Sequence, residues 1–285
     1  MPLPLRPGYN FNVDRQIKNA DYEMKSMEIY RDYYGISYTV SGNRKFITPH
    51  EIGILRAGCI GMTAKDVYHR TSYISLEPYE RFVIKFTYSV AKRLINIIGQ
   101  DSFDELYQCP VYHFTESIQA KLFGIFCDMH NEFTHYSECS DLILEGMLHN
   151  LLATVMRERL PFNSDNILLS KEDQTMKYAM HYIEGHFLEN PSLIEIAAKV
   201  NLSSSYFSKL FKKSMGSTYS TYLNCIRIEH ARDLLVNTNL SVGEIAGLSG
   251  FSNGNYFCDV LKKIDGISPK DFRKKYRASG KSISY

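Results

Sequence analysis

The chain has 285 residues, enough for two domains, with 44% apolar and 22% charged residues and a net charge of +2. Those proportions are ordinary for a soluble globular protein, and no apolar run approaches the roughly 20 residues that span a bilayer. The opening MPLPLRPGYNFN puts Pro and Arg where a signal peptide needs its apolar stretch, so a cytoplasmic chain with no membrane partner is expected.

The six cysteines (59, 109, 127, 139, 225 and 258) include no pair within four residues, and His and Cys never cluster at zinc-ligand spacing. Reduced structural thiols, no metal and no cofactor are expected. The charge is unevenly divided. From Lys171 onward sixteen Lys and Arg face eleven Asp and Glu, a net +5, while the preceding 170 residues carry a net −3. A basic C-terminal third is a weak pointer to nucleic acid.

Residues 1–25 read as irregular and polar. Residues 26–90 read as short strands and turns, with β-branched and aromatic stretches at Ile36–Val40 and Phe82–Tyr88 punctuated by Ser41–Asn43, Ala57–Gly58 and Glu77–Pro78. Strands at this spacing suggest a sandwich or a barrel. From about Ser89 the apolar period lengthens from two to three or four. Ile118, Leu122, Ile125, Phe126, Met129 and Phe133 form one stripe, and Leu144, Leu148, Leu151, Leu152, Val155 and Met156 another. Both read as amphipathic helices that either cover the β-region or pair with a second subunit. Residues 161–172 read as a linker between a domain over 1–160 and an all-helical one over 173–285. The latter opens with Met176, Ala179, Met180, Ile183 and Phe187 on one helix face.

The helical region contains an internal repeat. Glu195-Ile196-Ala197 matches Glu244-Ile245-Ala246 at an offset of 49. Tyr206-Phe207, Lys212-Lys213 and Gly216 match Tyr256-Phe257, Lys262-Lys263 and Gly266 at an offset of 50. In each copy a short helix offers Ile and a small Ala to a shared core. A turn follows at Asn201-Leu202 or Gly250-Phe251, and Ser203 or Ser252 is placed to cap the next helix. That second helix buries Phe207, Leu210 and Phe211, or Phe257, Val260 and Leu261, and leaves its other face free until Gly216 or Gly266 ends it. This is helix-turn-helix geometry, and a major groove about 12 Å wide admits one such helix. An αα-hairpin that only packs explains one copy more easily than two. Between the copies, Thr218–Asn237 reads as a helix of about 30 Å, close to the ~34–36 Å of one duplex turn. Ser268-Pro269 through Arg277 reads as a capped basic helix suited to phosphate.

Residues 193–277 resemble the AraC/XylS family of bacterial transcription regulators. The likeness is carried by both EIA segments, YFSKLFKKSMG, Ile226-Arg227-Ile228, GFSN, the second YF with its Lys pair, Gly266–Pro269 and Phe272-Arg273. The resemblance implies an α+β chain: an N-terminal cupin-like β-barrel with appended helices, then an all-α domain of two helix-turn-helix units joined by a long helix. It implies a homodimer that reads a double-stranded DNA operator and answers a small-molecule effector, with a sugar as the leading class. RNA polymerase is a partner if the protein activates, as is usual in the family. By matching position, DNA contacts are expected from Ser203, Ser204, Ser205, Ser208, Lys209, Lys212 and Lys213. In the second unit they are expected from Asn253, Gly254, Asn255, Cys258, Asp259, Lys262 and Lys263. Lys209 suits guanine O6/N7 and Asn255 suits adenine. Asp259 stands where a basic residue is common, and Asp265 where an aromatic is usual, so the first unit is expected to dominate affinity.

The β-region resembles the cupin-like sensing domain of these regulators. The two His positions of one cupin signature fall on Ile29 and Arg31 and its acid on Gly35, while Gly42 fits; Gly58 and His69 fit the second signature. With three of four ligands missing, one His holds no divalent metal usefully. No catalytic residue is expected, and the enzyme alternative, a non-metal cupin with an accessory DNA-binding domain, is disfavoured. Tyr30, Tyr34, Tyr38, Arg44, Phe46 and His69 are the candidate effector contacts, aromatic faces plus an Arg being suited to a sugar.

Overall fold

The structure, a computed structural model, describes residues 8–19, 21–74, 77–160 and 169–277. The chain divides into two compact units, Met1–Ser170 and Lys171–Tyr285. Residues 161–168 of the expected linker lie outside the described residues.

Among the described residues of the first unit, nine strands form two antiparallel sheets. The strands are β1 (Phe11–Lys18), β2 (Glu28–Ile29), β3 (Tyr33–Ser41), β4 (Arg44–Ile47), β5 (Ile52–Leu55), β6 (Ile60–Thr63), β7 (Tyr68–Tyr73), β8 (Tyr79–Thr87) and β9 (Val111–Tyr112). One sheet runs β1-β8-β3-β6-β9 and the other β2-β7-β4-β5. The expected barrel is therefore two facing sheets, not one closed ladder. The segment read as irregular also contains a strand. β1 pairs along its whole length with β8, from Phe11 opposite Phe86 to Lys18 opposite Tyr79. Its alternation is thin in sequence, because Arg15 interrupts Phe11, Val13 and Ile17 on one face.

Helices follow or interleave: α1 (Tyr88–Ile98), α2 (Gln100–Gln108), α3 (Glu116–Thr134) and α4 (Ser140–Glu158). The apolar face of the five-stranded sheet, with Phe11, Val13, Ile36, Tyr38, Phe82, Ile84 and Phe86, shares one core with Leu122, Phe126 and Met129 of α3 and Leu144, Leu148 and Leu151 of α4. Each such buried side chain contributes about 1.5–3 kcal/mol relative to exposure. The two helical stripes thus cover the sheet. The other face of this sheet is turned to the four-stranded sheet and is mostly polar.

The second unit is helical: α5 (Lys171–His186), α6 (Leu193–Lys199), α7 (Ser204–Met215), α8 (Tyr219–Asn237), α9 (Val242–Leu248), α10 (Gly254–Asp265) and α11 (Pro269–Arg277). No described helix is long and apolar enough to cross a membrane. At about 1.5 Å per residue α8 is about 29 Å long. It is buried on most sides because a helix-turn-helix unit packs at each end. Phe211 meets Tyr219 and Tyr222 edge-on, while Ile228, Ala231 and Leu235 join Ile245, Ala246, Phe257 and Leu261 in the second core. Arg227, midway along α8, is buried, donates to the Phe187 carbonyl and to Asn190 Oδ1, and lies over the Phe251 ring.

Candidate nucleic-acid interface and inter-sheet cavity

The two repeats fold alike. Ile196 and Ala197 in α6, and Ile245 and Ala246 in α9, are buried where the following helix crosses. Each turn passes through the left-handed region at an equivalent position, Asn201 (φ 56°) and Gly250 (φ 79°), which Asn and Gly tolerate with least strain. The caps then differ. Ser203 Oγ accepts the Tyr206 N–H at 3.3 Å, as expected. In the second unit Asn253 Oδ1, not Ser252, accepts the Tyr256 N–H at 2.7 Å, because the inserted residue moves the cap one place along. Gly216 and Gly266 close both helices with left-handed C-caps.

On α7, Phe207, Leu210 and Phe211 face inward, while Ser205, Ser208, Lys209, Lys212 and Lys213 are exposed and Ser204 is half-buried. On α10, Phe257, Val260 and Leu261 face inward. Asn255, Asp259, Lys262 and Lys263 are exposed, and Gly254 and Cys258 half-buried. The residues singled out on each helix therefore share one outward stripe of period 3–4. Three are already engaged within the protein. Ser203 and Asn253 spend their side-chain oxygens on caps, and Lys213 lies 3.6 Å from Glu172, which also accepts from the Tyr206 hydroxyl.

The basic C-terminal helix divides its charges. Lys270, Lys274 and Lys275 are exposed. Arg273 and Arg277 instead turn back onto the end of α8. Arg273 Nε donates to the Leu235 carbonyl at 3.2 Å and Arg277 Nε to the Val236 carbonyl at 2.9 Å, satisfying last-turn acceptors and complementing the helix dipole. Reading all of these charges as phosphate contacts therefore overcounts by two.

Between the two sheets lies a cavity of about 130 Å³. Of the six candidate effector contacts, Tyr30, Phe46 and His69 line it. The other three do not. Tyr34 packs against Phe86, Phe103 and Tyr107 beneath the helices. Tyr38 packs against Phe123 and Phe126 and donates its hydroxyl to the Gln119 carbonyl at 3.0 Å. Strand alternation explains both: even-numbered residues of β3 point to the helices, and Gly35 and Ser37 point to the cavity. Arg44 is buried beside the Tyr79 ring and donates to the Asn19 carbonyl at 3.0 Å. Arg70 Nε likewise donates to the Met24 carbonyl at 2.7 Å. Arg44 thus holds Asn19 and Arg70 holds Met24, which with Tyr22 helps line the cavity.

Lining residues missed in sequence include Gln16, Lys18, Glu28, Ser37, Arg81 and Lys85. Lys85 is 2% exposed, and its ammonium sits over the Tyr30 and Tyr33 rings at 5.4 and 5.1 Å. Burial pulls its pKa down to about 8, against the opposing pull of Asp14. His69 is 4% exposed and its Nδ1 makes no hydrogen bond. Burial, aided by the Arg81 charge, drives its pKa down to about 3, so it is neutral. Gly35, where the cupin signature has its acid, is needed for packing: a Cβ there would stand 2.8 Å from Tyr30 Cε2. Among the described residues no three His, Cys, Asp or Glu side chains are grouped to hold a metal ion.

Residues 196–275 match the family model of a helix-turn-helix domain. Over 245 residues the chain is 29% identical to the Msm operon regulatory protein of Streptococcus mutans, covering 86% of this chain and 85% of that one. A solved transcriptional regulator of Chromobacterium violaceum with an AraC-type DNA-binding domain is 30% identical, with 38% of this chain and 96% of that one covered at a TM-score of 0.36. Residues 196–275 are a helix-turn-helix domain, the one that the resemblance to the AraC/XylS family implied, and the chain is similar to transcription regulators.

Other relatives share less of their length. Over 137 residues the chain is 34% identical to the regulatory protein PocR of Salmonella typhimurium, which is 47% of this chain and 45% of PocR. Both of these relatives are by name regulatory proteins, not enzymes. The family frame also explains a departure seen in sequence. Asp265, where AraC/XylS members usually carry an aromatic, is the buried partner of Arg232, whose Nε donates to Asp265 Oδ2 at 3.1 Å; Arg232 Nη2 donates to the other carboxylate oxygen. The pair ties the end of α10 to the middle of α8. No local signal announces it, because the partners stand 33 residues apart.

Proposed function

We propose that this protein reads a double-stranded operator with α7 and α10 in successive major grooves, and that a small molecule held between the two sheets alters that reading. The observation that carries the proposal is the duplicated stripe: two capped helices, each with small polar residues in its first turns and lysines later, on opposite ends of one stiff 19-residue helix. Ser205, Ser208 and Lys209, with Asn255, Cys258 and Asp259, are the base-facing candidates. Lys209 suits guanine and Asn255 adenine. Lys212, Lys262, Lys263, Lys270, Lys274 and Lys275 supply phosphate contacts.

The domains take the roles of sensing and dimerisation over residues 1–160 and DNA binding over 173–285, with 161–172 between them. The working protein is a cytoplasmic homodimer. An effector acts only through different affinities for two states of the protein; a sugar is the class the family resemblance favours. Activation, with RNA polymerase as partner, is the family's usual mode, and the Streptococcus mutans relative is by name an operon regulator.

The test is titration of a fluorescent duplex, selected from a random pool by the full-length protein, with wild type and Lys209→Ala. The variant should lose about 1–3 kcal/mol of specific binding and relax preference at one base pair. Equal affinity and unchanged preference would remove Lys209 from the reading face.

A further inference from the structure

One side chain joins the two helix-turn-helix units to each other as well as to the helix between them. The first unit rests on the beginning of α8, where Phe211 meets Tyr219 and Tyr222. The second rests on its later half, through Ile228, Ala231 and Leu235. Arg227 stands between these two contacts and is 5% exposed. Its Nε and Nη2 donate to the Phe187 carbonyl at 3.2 and 2.9 Å, and Nη2 donates also to Asn190 Oδ1 at 3.0 Å. Both acceptors belong to the segment that leads from α5 into α6, a single 3₁₀ turn (Phe187–Glu189) followed by Asn190 in the left-handed region. The other neighbours of the guanidinium come from the second unit. Its carbon lies 5.8 Å from the centre of the Phe251 ring. A Cβ on Gly250 would stand 2.9 Å from Arg227 Nε and 3.1 Å from the Phe187 carbonyl oxygen. The turn of the second unit therefore passes within contact distance of the lead-in to the first, with Arg227 between them. The Phe187 ring also meets His230 edge-on, and His230 Nδ1 lies 3.2 Å from Ser249 Oγ beside that same turn.

We propose that Arg227 is a positioning residue: it fixes the angle between the two reading helices, and thereby the spacing of the two sub-sites that one protomer accepts, without touching DNA. The proposal rests on the reading of successive major grooves by α7 and α10. A stiff α8 sets how far apart the units stand, but apolar packing alone lets each unit rock on the helix that carries it. Hydrogen bonds are directional, and the planar fork of a guanidinium holds its acceptors in one fixed arrangement. Burying a cation is costly unless its donors are used, so an apolar side chain would fill this position at less cost if packing were all it supplied. One base pair more or less between the sub-sites turns one of them by about 35° around the duplex axis. The angle between the units therefore decides which spacing fits.

The experiment titrates full-length wild type, Arg227→Met and Asn190→Gly against three fluorescent duplexes, with excess unrelated DNA present. One duplex is the operator selected by the wild type. The other two have one base pair inserted or deleted between the sub-sites that methylation protection locates. The readout is the ratio of affinities for the original and the shifted duplexes. A mere loss of folded protein scales all three affinities equally and leaves this ratio unmoved. Wild type should bind the shifted duplexes at least about tenfold more weakly. Arg227→Met should cut that penalty to about threefold or less, as its charge-assisted hydrogen bonds are lost. Asn190→Gly removes one acceptor and keeps the left-handed backbone, so it should cut the penalty in the same direction but by less. Circular dichroism confirms folding, and should Arg227→Met not fold, Asn190→Gly carries the comparison. A folded Arg227→Met that keeps the wild-type penalty overturns the proposal and leaves the two-groove reading intact. A wild type indifferent to spacing overturns the two-groove reading and the proposal with it.

Discussion

Asp265→Ala tests whether the second reading helix is held to α8 by a buried charge pair. The Arg232 and Asp265 side chains are 1% and 3% exposed, so solvent does little to screen them. Removing Asp265 takes from a buried guanidinium the carboxylate to which it donates, and breaking a buried pair from one side costs about 3–5 kcal/mol. An exposed pair would cost about 0–1 kcal/mol. For a domain of this size each kcal/mol shifts the melting temperature by roughly 3–6 °C, so a fall of roughly 10–30 °C is expected in the transition of the C-terminal unit. Differential scanning calorimetry of the whole protein resolves that transition from the transition of the β-unit. The double variant Arg232→Met with Asp265→Leu, which removes both charges and keeps the volume, should recover most of the loss. A fall below about 3 °C, or a double variant no better than the single one, would refute the reasoning.

Three further outcomes follow from the geometry. Lys270→Ala, Lys274→Ala and Lys275→Ala should each lower the salt dependence of operator binding by about one unit of slope, whereas Arg273→Ala should lower stability and leave the slope unchanged; salt titrations of binding separate the two. Asn253→Ala should destabilise by about 1 kcal/mol through loss of the α10 cap, with Ser252→Ala near neutral in chemical denaturation. His69 stays neutral when folded, with its pKa near 3, but titrates at its usual value of 6.5 when unfolded. The unfolded chain therefore binds the extra proton between those values, and stability is full above pH 6.5 and falls as the pH drops toward 3. The fall attributable to this group is up to about 1.4 kcal/mol per pH unit, and urea unfolding of His69→Gln should show a shallower acid slope.

The helical unit was legible because its signals are local. The two EIA segments, the Tyr-Phe and Lys-Lys pairs and the closing glycines each sit within one or two turns of the structure they specify, and duplication separated them from chance. The β-unit was legible only in outline. Alternation told which residues of β3 share a face, but aromatic residues occupy both faces. Tyr33 and Tyr34 look equivalent in sequence, and only the packing of α1–α4 decides which face is apolar core. That left Tyr34 and Tyr38 among the expected effector contacts, and left out Arg81 and Lys85, whose charges suggest a surface strand. Arg44, expected at the effector, and Arg232, not singled out, share a related reason: their partners, the Asn19 carbonyl and Asp265, come from distant segments. β1 depends on a partner strand some 70 residues away, and its own alternation is too weak to stand alone.

Guanine N7 methylation protection on an operator bound by the full-length protein reads out where α7 and α10 sit on the duplex. Two clusters of major-groove protection for each protomer, centred about 10–10.5 base pairs apart on one face of the duplex, are the predicted result. A single cluster per protomer, or two on opposite faces, would contradict an account in which α8 holds both reading helices one duplex turn apart.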